Sequence, residues 1–176
     1  MKLIISFSGR NNGNCDEIAA YISKEKDVIA YFRELNVHAC SDCNYECFCG
    51  DCKYGEDDIY KLYESMFNYD KVVLIVPMYC GNPSSLYFKF NERGQDYFMH
   101  NEGCYEDIIS KLYIIGVYGD KEKTPDFIPC LEKWFEGMEF SNHVLGIERY
   151  RYGQKIADKI LCIEEVKNRI DCFIKQ

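Results

Sequence analysis

Apolar positions along the chain fall into two patterns. Unbroken short runs occupy residues 3–7, 28–32, 71–76 and 112–117, with a weaker run at 140–147. Runs of this kind without polar alternation predict strands covered on both faces. Between them, apolar residues recur at helical spacing: Cys15, Ile18, Ala19 and Ile22, then Ile59, Leu62, Tyr63 and Met66 within 56–68. Asn14 with Glu17 forms a capping box for the first helix, Ser84 starts a later one, and Thr124–Pro125 starts another. The final helix is predicted over 154–173, with Ile156, Ile160, Ile163, Ile170 and Phe173 inward. The 71–76 strand is expected to stop at Pro77, followed by a loop from 78 to 83.

Strands alternating with helices imply an α/β fold, a parallel sheet of about five strands with helices on both faces. No linker or repeat interrupts the pattern, so a single domain over 1–176 is expected, with a cysteine-rich insertion at 38–54 after the second strand. In open sheets of this kind ligands bind at the carboxyl ends of strands. The loops after residues 7, 77 and 118 are therefore the candidate sites.

An apolar content of 47% in 176 residues supports a core and argues against disorder. No run approaches the roughly 20 apolar residues of a membrane helix, and the N-terminus lacks the pattern of an export signal, so a cytoplasmic, non-membrane protein is expected. A net charge of −8 with no basic cluster disfavours nucleic acid as a partner. The count of 11 cysteines changes the picture more, because in a reducing compartment thiols serve metal or redox chemistry rather than a disulfide framework.

The first loop, Ser8-Gly9-Arg10-Asn11-Asn12-Gly13-Asn14-Cys15, joins a buried strand to a helix. Backbone N–H groups and the positive helix end converge there, which suits an anion. The alternative is an ordinary turn with Asn14 as the helix cap. The Walker and Gly-x-Gly-x-x-Gly patterns are absent. No carboxylate lies in residues 3–10 to hold a receiver-type magnesium, and no cysteine has arginine six positions later, as a cysteine phosphatase requires. The second loop, Pro77-Met78-Tyr79-Cys80-Gly81-Asn82-Pro83-Ser84, combines an aromatic with glycine and prolines, either as a stacking platform for a flat ring or as a proline-limited turn.

The first loop resembles the Gly-Ser-x-Arg-x-x-Gly-Asn-Thr loop of flavodoxin-like NAD(P)H-dependent FMN reductases, and the second is similar to their Pro-x-Tyr-Trp flavin loop. The resemblance implies a flavodoxin-like sheet in the order 2-1-3-4-5. It implies that Ser8, Arg10, Asn12, Gly13, Asn14 and Cys15 surround the FMN phosphate, that Pro77, Met78, Tyr79, Cys80, Gly81 and Asn82 line the isoalloxazine, and that Tyr118, Gly119 and Asp120 form a third wall. Cys15 stands where the family has threonine, and Cys80 where an aromatic is common. The family also implies a homodimer or homotetramer, with a nicotinamide cofactor or a redox protein as partner.

Between these loops lies Cys40-x2-Cys43-x3-Cys47-x-Cys49-x2-Cys52, similar to the insertion of the iron–sulfur flavoprotein branch of that family. Dense thiolates suit a 4Fe–4S cluster or zinc; free or redox-active thiols are the remaining reading. Cys40, Cys43 and Cys47 are the best three ligands, with the fourth open between Cys49 and Cys52, and His38 either a ligand or solvated. His100 and His143 read as structural or solvated, and Arg149 and Arg151 as exposed although within reach of a phosphate. The leading expectation is an FMN oxidoreductase or electron carrier, with an iron–sulfur centre relaying electrons. The alternatives are an NAD(P)H-dependent FMN reductase with a zinc or metal-free loop, a zinc-stabilised binding module without flavin, and a thiol oxidoreductase using Cys40 and Cys43.

Overall fold

A computed structural model describes residues 1–49, 52–101, 103–119, 126–137, 142–155 and 157–176, apart from the side chains of Asp96 and His100. The strands are β1 (Lys2–Ser6), β2 (Val28–Tyr31), β3 (Lys71–Tyr79), β4 (Asn82–Pro83), β5 (Leu112–Tyr118) and β6 (Val144–Glu148). The helices are α1 (Asn14–Ile22), α2 (Asp58–Met66), α3 (Ser85–His100), α4 (Cys104–Ser110), α5 (Phe127–Glu132) and α6 (Glu164–Lys175). The order β2-β1-β3-β5-β6 is parallel throughout, and β4 is a two-residue antiparallel return on β3. With that return set aside, this is the expected 2-1-3-4-5 order. Among the described residues no helix is long and apolar enough to cross a membrane.

The unbroken apolar runs are explained by the two cores that the sheet separates. Alternate residues Leu3, Ile5, Val72, Leu74, Leu112 and Ile114 pack on one face with Tyr63 of α2 and Phe90 of α3. Their neighbours Ile4, Val73, Ile75 and Ile115 pack on the other with Ile18 of α1 and Ile170 of α6. Because successive side chains point to opposite faces, a strand buried on both sides has no position left for an unpartnered polar residue; Ser6, at the end of β1, is buried against Asp16. Gly116 fits the same logic, since a Cβ there would lie 2.9 Å from both Leu131 and Phe127 of α5.

Three expectations are corrected. The third strand does not stop at Pro77; it continues to Tyr79, with Pro77 paired to Val117 of β5. Phe7 N–H donates to the Ile75 carbonyl at 2.9 Å. In a parallel ladder the residue two further along, 77, would donate to the Phe7 carbonyl from the same side of the strand. Proline has no N–H, and the Ser84 hydroxyl donates to that carbonyl instead, at 2.9 Å. Second, the last strand is Val144–Glu148 rather than 140–147, whose first residues lie outside the described ones.

Third, the helix expected over 154–173 begins only at Glu164. Gly153 takes a φ of 67°, and residues before α6 form short 3-10 turns at Tyr150–Tyr152 and Ile160–Cys162. Side chains replace the helical ladder there: the Asp158 carboxylate accepts from Lys155 N–H at 2.7 Å, and Asn14 Oδ1 from Ile160 N–H at 3.0 Å. Ile156, Asp120 and the Thr124–Pro125 helix start lie outside the described residues.

Ser84 also caps α3, accepting from Tyr87 N–H at 3.3 Å, and is only 2% exposed. Ser84→Ala removes the cap and leaves the Phe7 carbonyl buried and unpaired, so a loss of about 2–3 kcal/mol is expected in a urea unfolding titration. Ser84→Thr should recover most of it. An alanine variant as stable as the parent would show that Pro77 is accommodated in another way.

Candidate functional site

The β1–α1 loop is shaped from beneath by a carboxylate. Asp16, 6% exposed in the first turn of α1, accepts from the Ser6 hydroxyl at 2.7 Å, Asn12 N–H at 2.9 Å and Arg33 Nη1 at 3.0 Å. Arg33, just past β2, also donates to the Ser8 carbonyl at 3.3 Å and lies 4.5 Å over the Tyr31 ring. The Ser8 hydroxyl accepts from Arg10 N–H at 3.1 Å and donates to the Arg10 carbonyl at 3.0 Å, closing the turn, and Asn12 takes a φ of 57°. A charge buried this far must be paired, and the pairing fixes strand, loop and helix together. Sequence reading missed Asp16 and Arg33; the signal was an acid at the third helical position, where the dipole favours it, with a cation closing the neighbouring strand.

The loop opens onto a cavity of about 310 Å³ lined by Ser8, Arg10, Asn12, Gly13, Asn14 and Cys15 on one side and by Pro77, Met78, Tyr79 and Val117 on the other. Arg149 and residues 157–159 complete it. The N–H groups of the first turn of α1 have no acceptor inside the helix, and Gly13, Asn14 and Cys15 border this space. Arg10, Arg149 and Lys159 bring positive charge to the same space. An anionic group next to a flat apolar one matches this lining, and FMN has both, so the donor set present fits that cofactor.

Individual residues depart from the roles the sequence suggested. Asn14 neither caps α1, where Gly13 is the cap residue, nor faces the cavity with a free amide. Its Nδ2 donates to the Asp158 carbonyl at 3.1 Å and its Oδ1 accepts from Ile160, so the side chain clasps the segment before α6. Lys159 reaches back to Glu17 and to the Asn12 carbonyl. Cys15 is buried, and desolvation, reinforced by the Asp16 charge and opposed by Arg149, pushes its thiol up to about 12. It can therefore offer a backbone N–H but no thiolate.

In the second loop, Tyr79 is 41% exposed at the rim, whereas Cys80, Gly81 and Asn82 do not line the cavity. Cys80 and Gly81 have φ values of 49° and 80°, the two positive angles of a tight hairpin turn from β3 into β4. At the third wall the lining residue is Val117; Tyr118 turns toward Phe127, with ring centroids 5.8 Å apart, and Asp120 lies outside the described residues. Gly119 lies under Arg149, where a Cβ would come within 3.0 Å of Nη2. The expectation of an exposed Arg149 is thus corrected; Arg151 is exposed and lies 3.8 Å from Glu165.

The cysteine insertion is organised by another buried pair. Asp57 caps α2 through Ile59 N–H at 3.0 Å and meets Arg93 of α3 at 2.6 Å, the two side chains being 3% and 1% exposed. Arg93 then donates to the carbonyls of His38 and Tyr54, both at 3.1 Å, and to Cys52 Sγ at 3.6 Å. Both ends of the insertion are so tied to one guanidinium. His38 stacks on Tyr54 with centroids 4.6 Å apart. Cys40, Cys43, Cys47 and Cys52 border a second cavity of about 310 Å³, and Cys49 does not line it. Among the described residues, no group of three His, Cys, Asp or Glu side chains is arranged to hold a metal ion. As placed, the thiols do not fit a cluster or zinc ligand set.

No protein-family model matches the chain, and no curated protein matches it by sequence. Solved structures do. The Trp repressor binding protein from Bacillus subtilis superposes with a TM-score of 0.69 at 17% identity, covering 100% of this chain and 99% of that one. The flavoenzyme FerB, an NAD(P)H:acceptor oxidoreductase from Paracoccus denitrificans, gives 0.56 at 8% identity over 99% and 94%. An NADH:FMN oxidoreductase in its apo form gives 0.51 at 12% identity over 98% and 87%. At such identities the likeness establishes the flavodoxin-like fold.

Arg93→Met breaks the buried pair and strands Asp57, and should cost about 3–5 kcal/mol in chemical unfolding. Arg93→Lys should recover little, because one ammonium cannot span the same acceptors. A small loss would mean the insertion is held from elsewhere. Iodoacetamide at pH 8 should label exposed Cys40 and Cys49 but spare Cys15 until the chain is unfolded; mass spectrometry of digested protein reads both, and early labelling of Cys15 would contradict its burial.

Proposed function

We propose that the cavity at the carboxyl ends of β1, β3 and β5 binds FMN and that the protein is an FMN-dependent oxidoreductase reduced by NAD(P)H. One observation carries this reading: the anion-shaped β1–α1 loop and the apolar wall of Pro77, Met78 and Val117 face each other across a single cavity. The flavoenzymes among the structural neighbours share this fold, which supports the reading without identifying an electron acceptor.

Bound FMN would supply the hydride and single-electron chemistry. The chain's residues bind and orient it. The first turn of α1 and Arg10 would hold the phosphate, with Gly13 and Cys15 presenting backbone rather than bulky side chains. Tyr79, exposed at the rim, would stack on the ring system while the proline-bounded strand end keeps the wall rigid. No side chain with a perturbed proton affinity is needed at the ring, because the redox centre is the cofactor's own. The described thiols of the cysteine loop gather no metal-ligand set beside this site.

Purification without oxygen, with a visible spectrum and assays of acid-released FMN, iron, zinc and sulfide on the same sample, tests the reading. Flavin bands that bleach on addition of NADH or NADPH are expected. A colourless protein that also fails to take up added FMN would sink the proposal. Iron with acid-labile sulfide would extend it to a cluster in the cysteine loop, and flavin alone would leave a simple reductase.

A further inference from the structure

Arg149 follows β6 and is outside the loop motifs, yet it reaches the cavity. Its backbone continues the sheet, with its N–H donating to the Tyr118 carbonyl at 2.9 Å, and its Nη1 donates to the Lys155 carbonyl at 3.2 Å. The guanidinium lies over Gly119, close enough that a Cβ there would sit 3.0 Å from Nη2 and 3.5 Å from Cζ. It is also near enough to Cys15, in the first turn of α1, for its charge to act on that thiol.

Three other charged groups at this end of the sheet are already engaged. Lys159 is paired with Glu17, the Asp158 carboxylate accepts from Lys155 N–H, and Asp16 is closed off behind the loop by Arg33. Buried Arg33 and Arg93 each meet an aspartate, whereas among the described residues no carboxylate lies in ion-pair range of Arg149 or Arg10. A half-buried guanidinium therefore faces the positive end of α1 across a cavity. Two like charges so placed repel, and an anion between them turns both contacts favourable.

We propose that Arg149 binds a phosphate monoester of the ligand, completing from β6 the anion site begun by the β1–α1 loop, and that Gly119 is small so that the guanidinium can reach it. This rests on the FMN reading for the identity of the ligand. The same chemistry is carried by the 5′-phosphate of FMN and by the 2′-phosphate of NADPH, and the two can be separated.

The test compares the parent protein with Arg149→Met, which keeps the length of the side chain and removes its charge, and with Gly119→Ala, which displaces the guanidinium. Flavin-free protein is titrated with FMN and with riboflavin by fluorescence quenching, and KM is measured for NADPH and for NADH. Arg149→Met should weaken FMN ~10- to 100-fold while changing riboflavin less than about twofold, and Gly119→Ala should shift FMN in the same direction by less. Unchanged FMN affinity with a raised KM for NADPH alone would support the monoester site and assign it to the nicotinamide nucleotide. Equal losses for FMN and riboflavin, or no change in any ligand, would overturn the proposal. Thermal unfolding of each variant separates misfolding from lost binding. If the parent binds neither flavin, the FMN reading has failed on its own. Calorimetry with inorganic pyrophosphate then decides: binding by the parent that Arg149→Met loses keeps the anion site, and no binding by the parent removes it.

Discussion

A carboxylate taken out of water must find a cation and hydrogen-bond donors, and two aspartates under that constraint organise the β1–α1 loop and the cysteine-rich insertion. Asp16 gathers Ser6, the Asn12 N–H and Arg33, so the end of β1, the turn and the start of α1 hold one geometry. Asp57 gathers the N-terminus of α2 and Arg93, and Arg93 passes the restraint on to His38, Cys52 and Tyr54. Each pair gives up hydration in exchange for several directed bonds, which makes the arrangement specific as well as stable.

These restraints act at different places on one sheet. The Asp16 pair lies at the carboxyl end of β1, where the parallel arrangement brings the ends of β3, β5 and β6 alongside. Segments far apart in sequence meet there: residues 8–15, 77–79, 117, 149 and 157–159 surround one space. The Asp57 pair holds the insertion between β2 and α2, and the thiols border a separate cavity against α3. One cavity combines cations, helix N–H groups and an apolar wall, and the other combines thiols with aromatic rings. Their chemistry differs because only the first lies where several strand ends and a helix N-terminus converge.

The segment before α6 shows how local preference yields to tertiary demand. Its apolar spacing is helical, and Ile160, Ile170 and Phe173 are buried as that spacing implies. Yet the backbone from 157 to 163 is not α-helical and meets the start of α1, because Asn14 offers Ile160 and Asp158 partners that a helix would withhold. Helix propensity is worth tenths of a kcal/mol per residue, and a few part-buried side-chain hydrogen bonds outweigh it. Pro77 is the matching case in a strand, where the missing donor is replaced by a hydroxyl seven residues later.

What the sequence determined by itself follows from short-range rules. Runs such as Val72–Val76 can be buried only on both faces, so strands, helices between them and a parallel sheet were legible, as was the meeting of the 8–15 loop with residues 77–79 at the strand ends. Which polar side chains face the cavity was decided by tertiary structure. The Asn14 amide was engaged by a segment 144 residues distant, Arg149 was admitted by a glycine just past the end of β5, and Cys80, Gly81 and Asn82 were drawn into a hairpin. The cysteine spacing stated which sulfurs are near in sequence, but the Cys52 sulfur is met by Arg93, 41 residues beyond it. Burial follows residue type and period, whereas a polar group goes to whichever partner the assembled fold brings within reach.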